Sequence, residues 1–430
     1  MFRLVVTALL ALLGPWLPAD AGAAAPTESP PVPGLTAAAG LSESAAVLRA
    51  LQSNPNLRAF RKQRGIAEAQ IVSATALLNP LLQLTLVHLQ EGPQLGWTAT
   101  LKWTPPQPVE LAARRAQARA TLDEVRYAIA EQEWTLAATV RLTHATILEL
   151  REQSRILTEA LALRRRMGAL LRTRVQHGGA TRIELNLFEL AILNAQRDLD
   201  DVELRRTQAQ SQLQALLGVI SAEPMEVSGA LLDEPAGAVL LDAEALAEQS
   251  VASRPLRKAA HARVIEREQA LRLAKTRLWP WPELNARFGQ TGSSKYPNDW
   301  QAGFTLPLPV LNQNAGPIQV AVAEFDKEHA AEQAQIETLK QGVYAACAEL
   351  KLRHKILRRF RSEVLPVLSE HDHLMELAVR GGQLDLVALL SSEESVLRGQ
   401  RDYSAARLAF RQAWLMLEAA VGASVGEVLR

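Results

Sequence analysis

His371, Asp372 and His373 form the run in this sequence most suggestive of chemistry, two imidazoles and a carboxylate of the kind that ligate metals. On a helix, positions i and i+2 point apart. Two-histidine chelation within one element is therefore poor, and the run reads as a solvated helix face. His88 and His177 are isolated. Cys347 is the sole cysteine. It can close no disulfide within the chain, it supports no thiolate metal site, and it reads as a buried, inert thiol. Asp385 follows a Gly381-Gly382 pair, where it suits the first turn of a helix through the helix dipole. Gly168, Gly178 and Gly179 make no dinucleotide fingerprint behind a strand. Arg164-Arg165-Arg166 is too short a run for nucleic acid and reads as lumen, groove or surface charge. No nucleophile sits with a base, and no phosphate loop or metal-ligand spacing is present. The residues point to no enzyme, no cofactor and no resident metal.

The elements that carry these residues are unusual. Lys and Arg number 47 against 46 Asp and Glu, so the chain has no nucleic-acid footprint. Aromatics are 5% of residues, and the 48% that are hydrophobic are mostly Ala and Leu, a composition for long, closely packed helices. Glu110 to Gln176 holds no proline and one glycine, Gly168. Its apolar residues, among them Leu122, Val125, Ile129, Leu136, Val140, Ile147, Leu150, Leu157 and Leu161, recur with a 3.5-residue period. A helix of that length runs about 100 Å and must pack along other long helices.

Residues 1–23 read as a secretory signal, with Arg3 before the apolar stretch Leu4–Leu13 and small-x-small sites at Ala19–Ala21 and Ala21–Ala23. The apolar stretch is too short to span a bilayer as a helix. Residues 24–40 are a proline-rich segment. No cysteine follows the signal, which excludes an N-terminal lipid anchor, and no later stretch has 18 apolar residues. A membrane-embedded part would have to be a closed β-barrel.

The chain repeats its own plan at an offset of about 200 residues. Leu41-Ser42 matches Leu241-Asp242, Asn54-Pro55 matches Arg254-Pro255, and Leu78-Asn79-Pro80 matches Leu278-Trp279-Pro280. Trp97, Ala99 and Leu101 match Trp300, Ala302 and Phe304, and Gly178-Gly179 matches Gly381-Gly382. The first repeat, 41–218, reads as a helix to about Leu78, strands 81–90 and 95–104, a long helix 110–176, a tip 177–181 and a helix 182–217. The linker is 219–241. The second repeat, 242–421, reads as a helix, strands 283–291 and 298–306, a long helix 317–380 kinked at Pro366, a tip 381–384 and a helix 385–421, leaving a tail 422–430. At the first tip, glycine supplies the left-handed closing residue, and Thr181 and Glu184 have capping-box spacing.

The strands alternate apolar and polar residues, as in a barrel with lipid outside and water inside. Trp97, Trp103, Trp279, Trp281 and Trp300 lie in or beside them, which fits the aromatic belts of a bilayer interface. A soluble hairpin with aromatic pairs is the ordinary alternative. Four strands cannot close a membrane barrel, so copies must share one. A homotrimer gives twelve strands.

On the duplicated plan, on Leu41-Ser42 through Asn54-Pro55, on the Gly178-Gly179-Ala180-Thr181 tip and on Ala195-Gln196-Arg197-Asp198-Leu199, the chain resembles the TolC-type outer membrane factors of Gram-negative efflux and secretion systems. The resemblance covers nearly all of the mature chain. It implies a mainly α fold, in which long coiled-coil hairpins form an α-barrel below a shared twelve-strand transmembrane β-barrel in a trimer. It implies a Gram-negative outer-membrane location with a long periplasmic extension, and as partners outer-membrane lipid, a periplasmic adaptor (membrane fusion protein) and an inner-membrane RND-type pump. It also implies adaptor docking at the tips, through Gly178, Gly179, Thr181, Gly381 and Gly382, and a pore aperture at Asp385, with Glu370, Asp372 and Glu376 as further lumen candidates. Leu306-Pro307-Leu308-Pro309-Val310-Leu311-Asn312-Gln313-Asn314-Ala315-Gly316 is similar to the heavy-metal efflux branch, with Leu311 standing where an aromatic is expected. The expected function is a passive exit duct, gated at its tips, for heavy-metal cations. A drug-efflux or type I secretion duct and a soluble periplasmic coiled-coil scaffold remain the alternatives, with an enzyme last.

Overall fold

Proline and glycine decide where the helices start and stop. The computed structural model describes residues 40–88, 95–221, 223–231, 241–278, 281–290, 299–380 and 386–423. The signal segment, the strand end at 89–90, Trp279, the tip at 381–384, Asp385 and the tail beyond 423 lie outside the described residues.

The segment 42–78 is not one rod. It forms α1 (Glu43–Ser53), α2 (Pro55–Arg61) and α3 (Gln63–Thr75). Pro55 disfavours a helical conformation at Asn54, which sits at φ −56°, ψ 121°. The Asn54 side chain then caps α2 by accepting from Leu57 N–H at 2.8 Å and donates to Leu216 O at 2.8 Å. After the strands β1 (Leu81–His88) and β2 (Leu95–Trp103), α4 runs Pro108–Gln176 without a break, and α5 (Arg182–Leu217) returns beside it. The long helix begins at Pro108 because proline's missing N–H costs nothing in a first turn. Gly218, at φ +65°, ends α5 in a left-handed closure; a Cβ there would lie 2.5 Å from Ser53 O.

Residues 242–278 likewise divide, at Arg254-Pro255, into α6 (Ala243–Ser253) and α7 (Pro255–Thr276). The strands β3 (Glu283–Gln290) and β4 (Asp299–Thr305) follow, then α8 (Ala315–Arg359). Asn314, with a positive φ of 56°, opens α8 and donates to Ala274 O at 2.9 Å. That pins the helix start to α7, two residues ahead of the expected Pro317. The kink expected at Pro366 is taken up by a π-helical turn, Phe360–Val364, in which Leu365 N–H reaches Phe360 O. Proline brings no N–H to the ladder, and a widened turn in front of it absorbs the mismatch. The helix resumes as α9 (Leu365–Arg380), and α10 (Leu386–Val421) returns.

Each half has its own apolar centre, set in the middle of the helical body. The first joins Ala46 and Ala50 of α1, Val140 and Ile147 of α4, and Leu213 and Leu217 of α5. The second joins Leu246 of α6, Val343 and Leu350 of α8, and Trp414 and Leu417 of α10. Cys347 is buried in the second, and burial pushes its thiol pKa up.

Candidate functional site

The four strands form one antiparallel sheet in the order β1-β2-β3-β4. Residues opposite one another in an antiparallel pair share a face, so the register sorts the side chains. Leu82, Leu101, Ala286 and Ala302 make one cross-strand row; Leu84, Ala99, Phe288 and Trp300 make the next; Trp103, Leu284 and Phe304 make a third. The other face carries Gln83, Thr100, Arg287 and Gln301 in one row and Leu81, Lys102, Asn285 and Gly303 in another. One face is apolar and the other is mainly polar.

Exposure runs opposite to that of a protein folded in water. Trp300 is 78% exposed, Phe304 70% and Leu84 59%, while Thr98 on the polar face is 5% exposed. Such a contiguous apolar face needs a covering, by membrane or by partner. Trp97 meets Phe288 edge to face, with ring centroids 5.7 Å apart, near the end of the sheet away from the helices. Trp103 donates from Nε1 to Leu78 O at 3.0 Å at the helix end, and the exposed Trp281 precedes β3 there. Trp97 and Trp103 lie six residues apart on β2, about 20 Å along a strand, close to the roughly 25 Å apolar band of a membrane barrel.

The first tip is a compact turn between α4 and α5. Gly178, at φ +73°, reverses the chain, and Gly179 N–H returns to Arg174 O at 2.8 Å. Thr181 and Glu184 form the reciprocal cap: Glu184 N–H donates to Thr181 Oγ1 at 3.2 Å, and Thr181 N–H donates to Glu184 Oε2 at 2.6 Å. The backbone hydrogen bond from Thr181, with the one from its hydroxyl, holds the Glu184 carboxyl below its ordinary value. A group with a lowered folded pKa contributes above its unfolded pKa, and that contribution is lost as pH falls through the folded value. Thr181→Ala should cost about 1 kcal/mol of local stability. Hydrogen exchange at the N-terminal amides of α5 should show the loss at neutral pH, and the difference from the native chain should narrow in acid.

Other singled-out residues separate. His371 hydrogen-bonds Ser392 on α10 through Nε2, while His373 is exposed. Among the described residues no group of three or more His, Cys, Asp and Glu side chains is placed to hold a metal. The arginine run divides: Arg165 is exposed and donates to Gln196, whereas Arg164 is buried and bonds Glu393 at 3.3 Å and Ala191 O at 3.2 Å. Burial pushes the Glu393 carboxyl up, and the Arg164 charge offsets this only in part. Trp134 and Trp414, away from the sheet, donate to Ala419 O and Glu418.

Sequence reading missed a charged junction in the body. Glu43 of α1 accepts from Arg141 of α4 at 2.6 Å and from Arg411 of α10 at 2.9 Å, while Arg141 also bonds Glu418 at 2.7 Å. Each of its bonds joins residues about a hundred or more apart in the chain, and no local pattern marks them.

An inverted amphipathic sheet on a body of long helical hairpins defines an outer-membrane channel protein. The chain matches the family model for the outer membrane efflux protein over residues 46–219. It is an efflux channel of the Gram-negative outer membrane with its helical body in the periplasm. It is 22% identical over 375 residues to the cobalt-zinc-cadmium resistance protein CzcC of Cupriavidus metallidurans, covering 85% of this chain and 86% of that one. It is 24% identical over 323 residues to the pyoverdine export outer membrane protein OpmQ of Pseudomonas putida, covering 73% of this chain and 67% of that one. The crystal structure of CusC aligns with a TM-score of 0.72 at 16% identity, covering 89% of this chain and 92% of that one.

Proposed function

We propose that three copies pool their sheets into one twelve-strand barrel and export heavy-metal cations as the exit duct of a tripartite efflux system. The observation that carries the barrel is the four-stranded sheet with an exposed apolar face and two open edges, β1 and β4. Open edges present unpaired N–H and C=O groups, which the hydrocarbon core does not tolerate. In the native pairing, β4 runs toward the helices and β1 runs away from them. The β1 of a neighbouring copy therefore meets β4 antiparallel, and a cyclic ring closes with no edge left.

The halves share one order of elements, which supports duplication of a single helix, two-strand and hairpin unit. The tips would dock a periplasmic adaptor, through Gly178, Gly179 and Thr181 on the first and Gly381 and Gly382 on the second, with Asp385 at the aperture and an inner-membrane pump supplying energy. Trp97, Trp103, Trp281 and Trp300 would sit at the two bilayer interfaces, together with Trp279. The duct itself performs no covalent chemistry. The cargo reading rests on the likeness to CzcC, which spans most of both chains. The likeness to OpmQ favours siderophore export as the second reading.

One strain tests both parts. In a host lacking its own copy, a chain with Leu81→Cys and Thr305→Cys, treated with a short bismaleimide, should give dimer and trimer bands. The uncrosslinked chain should restore growth in cobalt, zinc or cadmium by several-fold in tolerated concentration. Monomer bands alone would remove the shared barrel. Unchanged metal tolerance with restored siderophore export would replace the cargo.

A further inference from the structure

α4 and α7 enclose a groove of about 730 Å³ that runs from the start of α4 and Thr75 of α3, next to the sheet, to the first half of α7. Pro108, Leu111 and Ala112 line the end next to the sheet, and Arg115, Arg119 and Lys258 follow along it. None of these three cations forms an ion pair among the described residues. The neighbouring charges are already engaged: Asp123 with Arg126 at 3.2 Å, and Arg257 and His261 with Glu332 at 3.8 and 3.0 Å. Two more nearby carboxylates are also engaged, Glu110 with Arg114 at 2.6 Å and Glu124 with Arg263 of α7 at 2.7 Å. The groove thus concentrates uncompensated positive charge beyond an apolar end.

Its facing follows from the helix period. Ala116 and Asp123 of the groove recur by sevens with His144 and Arg151, and in a supercoiled helix such positions share one face. His144 bonds Leu41 O at 3.0 Å, and Arg151 donates to Val227 O at 2.9 Å. That face therefore carries an added layer of chain, which belongs outside a ring of helices and would obstruct its bore. The groove opens beside the membrane and not into the duct.

We infer that this groove binds an anionic phospholipid of the inner leaflet, with its phosphate among Arg115, Arg119 and Lys258 and its acyl chains directed past Leu111 and Pro108 toward the sheet. The polarity gradient matches the orientation of such a lipid, with its tails toward the bilayer and its head toward the periplasm. Cations at a membrane surface attract anionic headgroups additively, and each long side chain can lay its stem on apolar surface while its charge meets phosphate. The inference rests on the placement of the sheet in the bilayer.

The test is native mass spectrometry of the full channel, purified in detergent and given phosphatidylglycerol, phosphatidylethanolamine or inorganic phosphate. The native chain should retain phosphatidylglycerol over phosphatidylethanolamine. In the R115Q/R119Q/K258Q variant that retention should fall at least about tenfold. R166Q, on the same helix about 70 Å away, should behave as the native chain, and matching circular dichroism should show the helices intact. Equal retention by the triple variant would overturn the site, as would binding of inorganic phosphate without preference for the lipid. The same spectra count the chains. Single chains that still bind the lipid would remove the trimer and keep this site, whereas trimers without lipid preference would do the reverse.

Discussion

A Gly289→Val chain is expected to keep its long helices and yet fail to accumulate as an assembled channel in the outer membrane. Gly289 lies on the polar face of β3, opposite Thr98. A Cβ there would sit 2.6 Å from Trp97 O and 2.7 Å from Thr98 Cγ2. The first of these is backbone, so the clash cannot be relieved by turning a side chain. Relief must come from parting β2 and β3, the pair that joins the first hairpin of the sheet to the second. Overpacking of this kind costs about 1–3 kcal/mol, and a cyclic assembly meets that cost in every copy. Parting the strands also exposes ladder groups to hydrocarbon, where they find no partner. Gly303→Ala is the discriminating comparison. Its added Cβ meets the Asn285 side chain, at 3.1 Å from Oδ1, and that side chain can rotate away. Heat-resistant oligomer on a gel should be lost for Gly289→Val and kept for Gly303→Ala. Normal oligomer in the valine variant would show that β2 and β3 are not held as closely as the register implies.

Features with a local cause were legible in the sequence. Alternation along Leu82, Leu84 and Leu86 and along Trp97, Ala99 and Leu101 gives the apolar face, because side chains on a strand change sides at each residue. The Thr181–Glu184 spacing gives the cap of α5, because both partners lie within one turn. The breaks at Asn54 and Arg254 were written in the prolines that follow, but their weight was missed. Each helical stretch reads well by propensity, and only the bond from Asn54 to Leu216, far along the chain, shows why the break is kept. The arginine run misled for a related reason. Consecutive residues on a helix point in different directions, so Arg164 is buried against Glu393 while Arg165 is exposed. Long-range charge pairing leaves no periodic trace, and the Glu43 junction had no signal to read.

That junction carries the second large effect. Glu43→Ala is expected to lower the stability of the helical body by about 3 kcal/mol, the low end for breaking a buried ion pair from one side. The side chains concerned are 29% exposed for Glu43, 10% for Arg411 and 6% for Glu418. Removing the Glu43 carboxylate leaves Arg141 with Glu418 but takes the paired carboxylate from Arg411. Burial pulls the Glu43 carboxyl upward, yet the hydrogen bond from Arg141 and the charge of Arg411 outweigh it and hold its pKa below the ordinary value. A depressed folded pKa places the stabilisation above the unfolded carboxylate pKa and loses it as pH falls through the folded one. Urea unfolding followed by helix signal should therefore separate native and Glu43→Ala chains widely at neutral pH and bring them together in strong acid. Adding Arg411→Leu to Glu43→Ala should recover part of the loss, because the penalty comes largely from a buried cation left without its anion. Additive losses in the double variant would mean that the two residues act separately. α1 and α10, which come from opposite ends of the chain, would then be joined through α4, against which both pack.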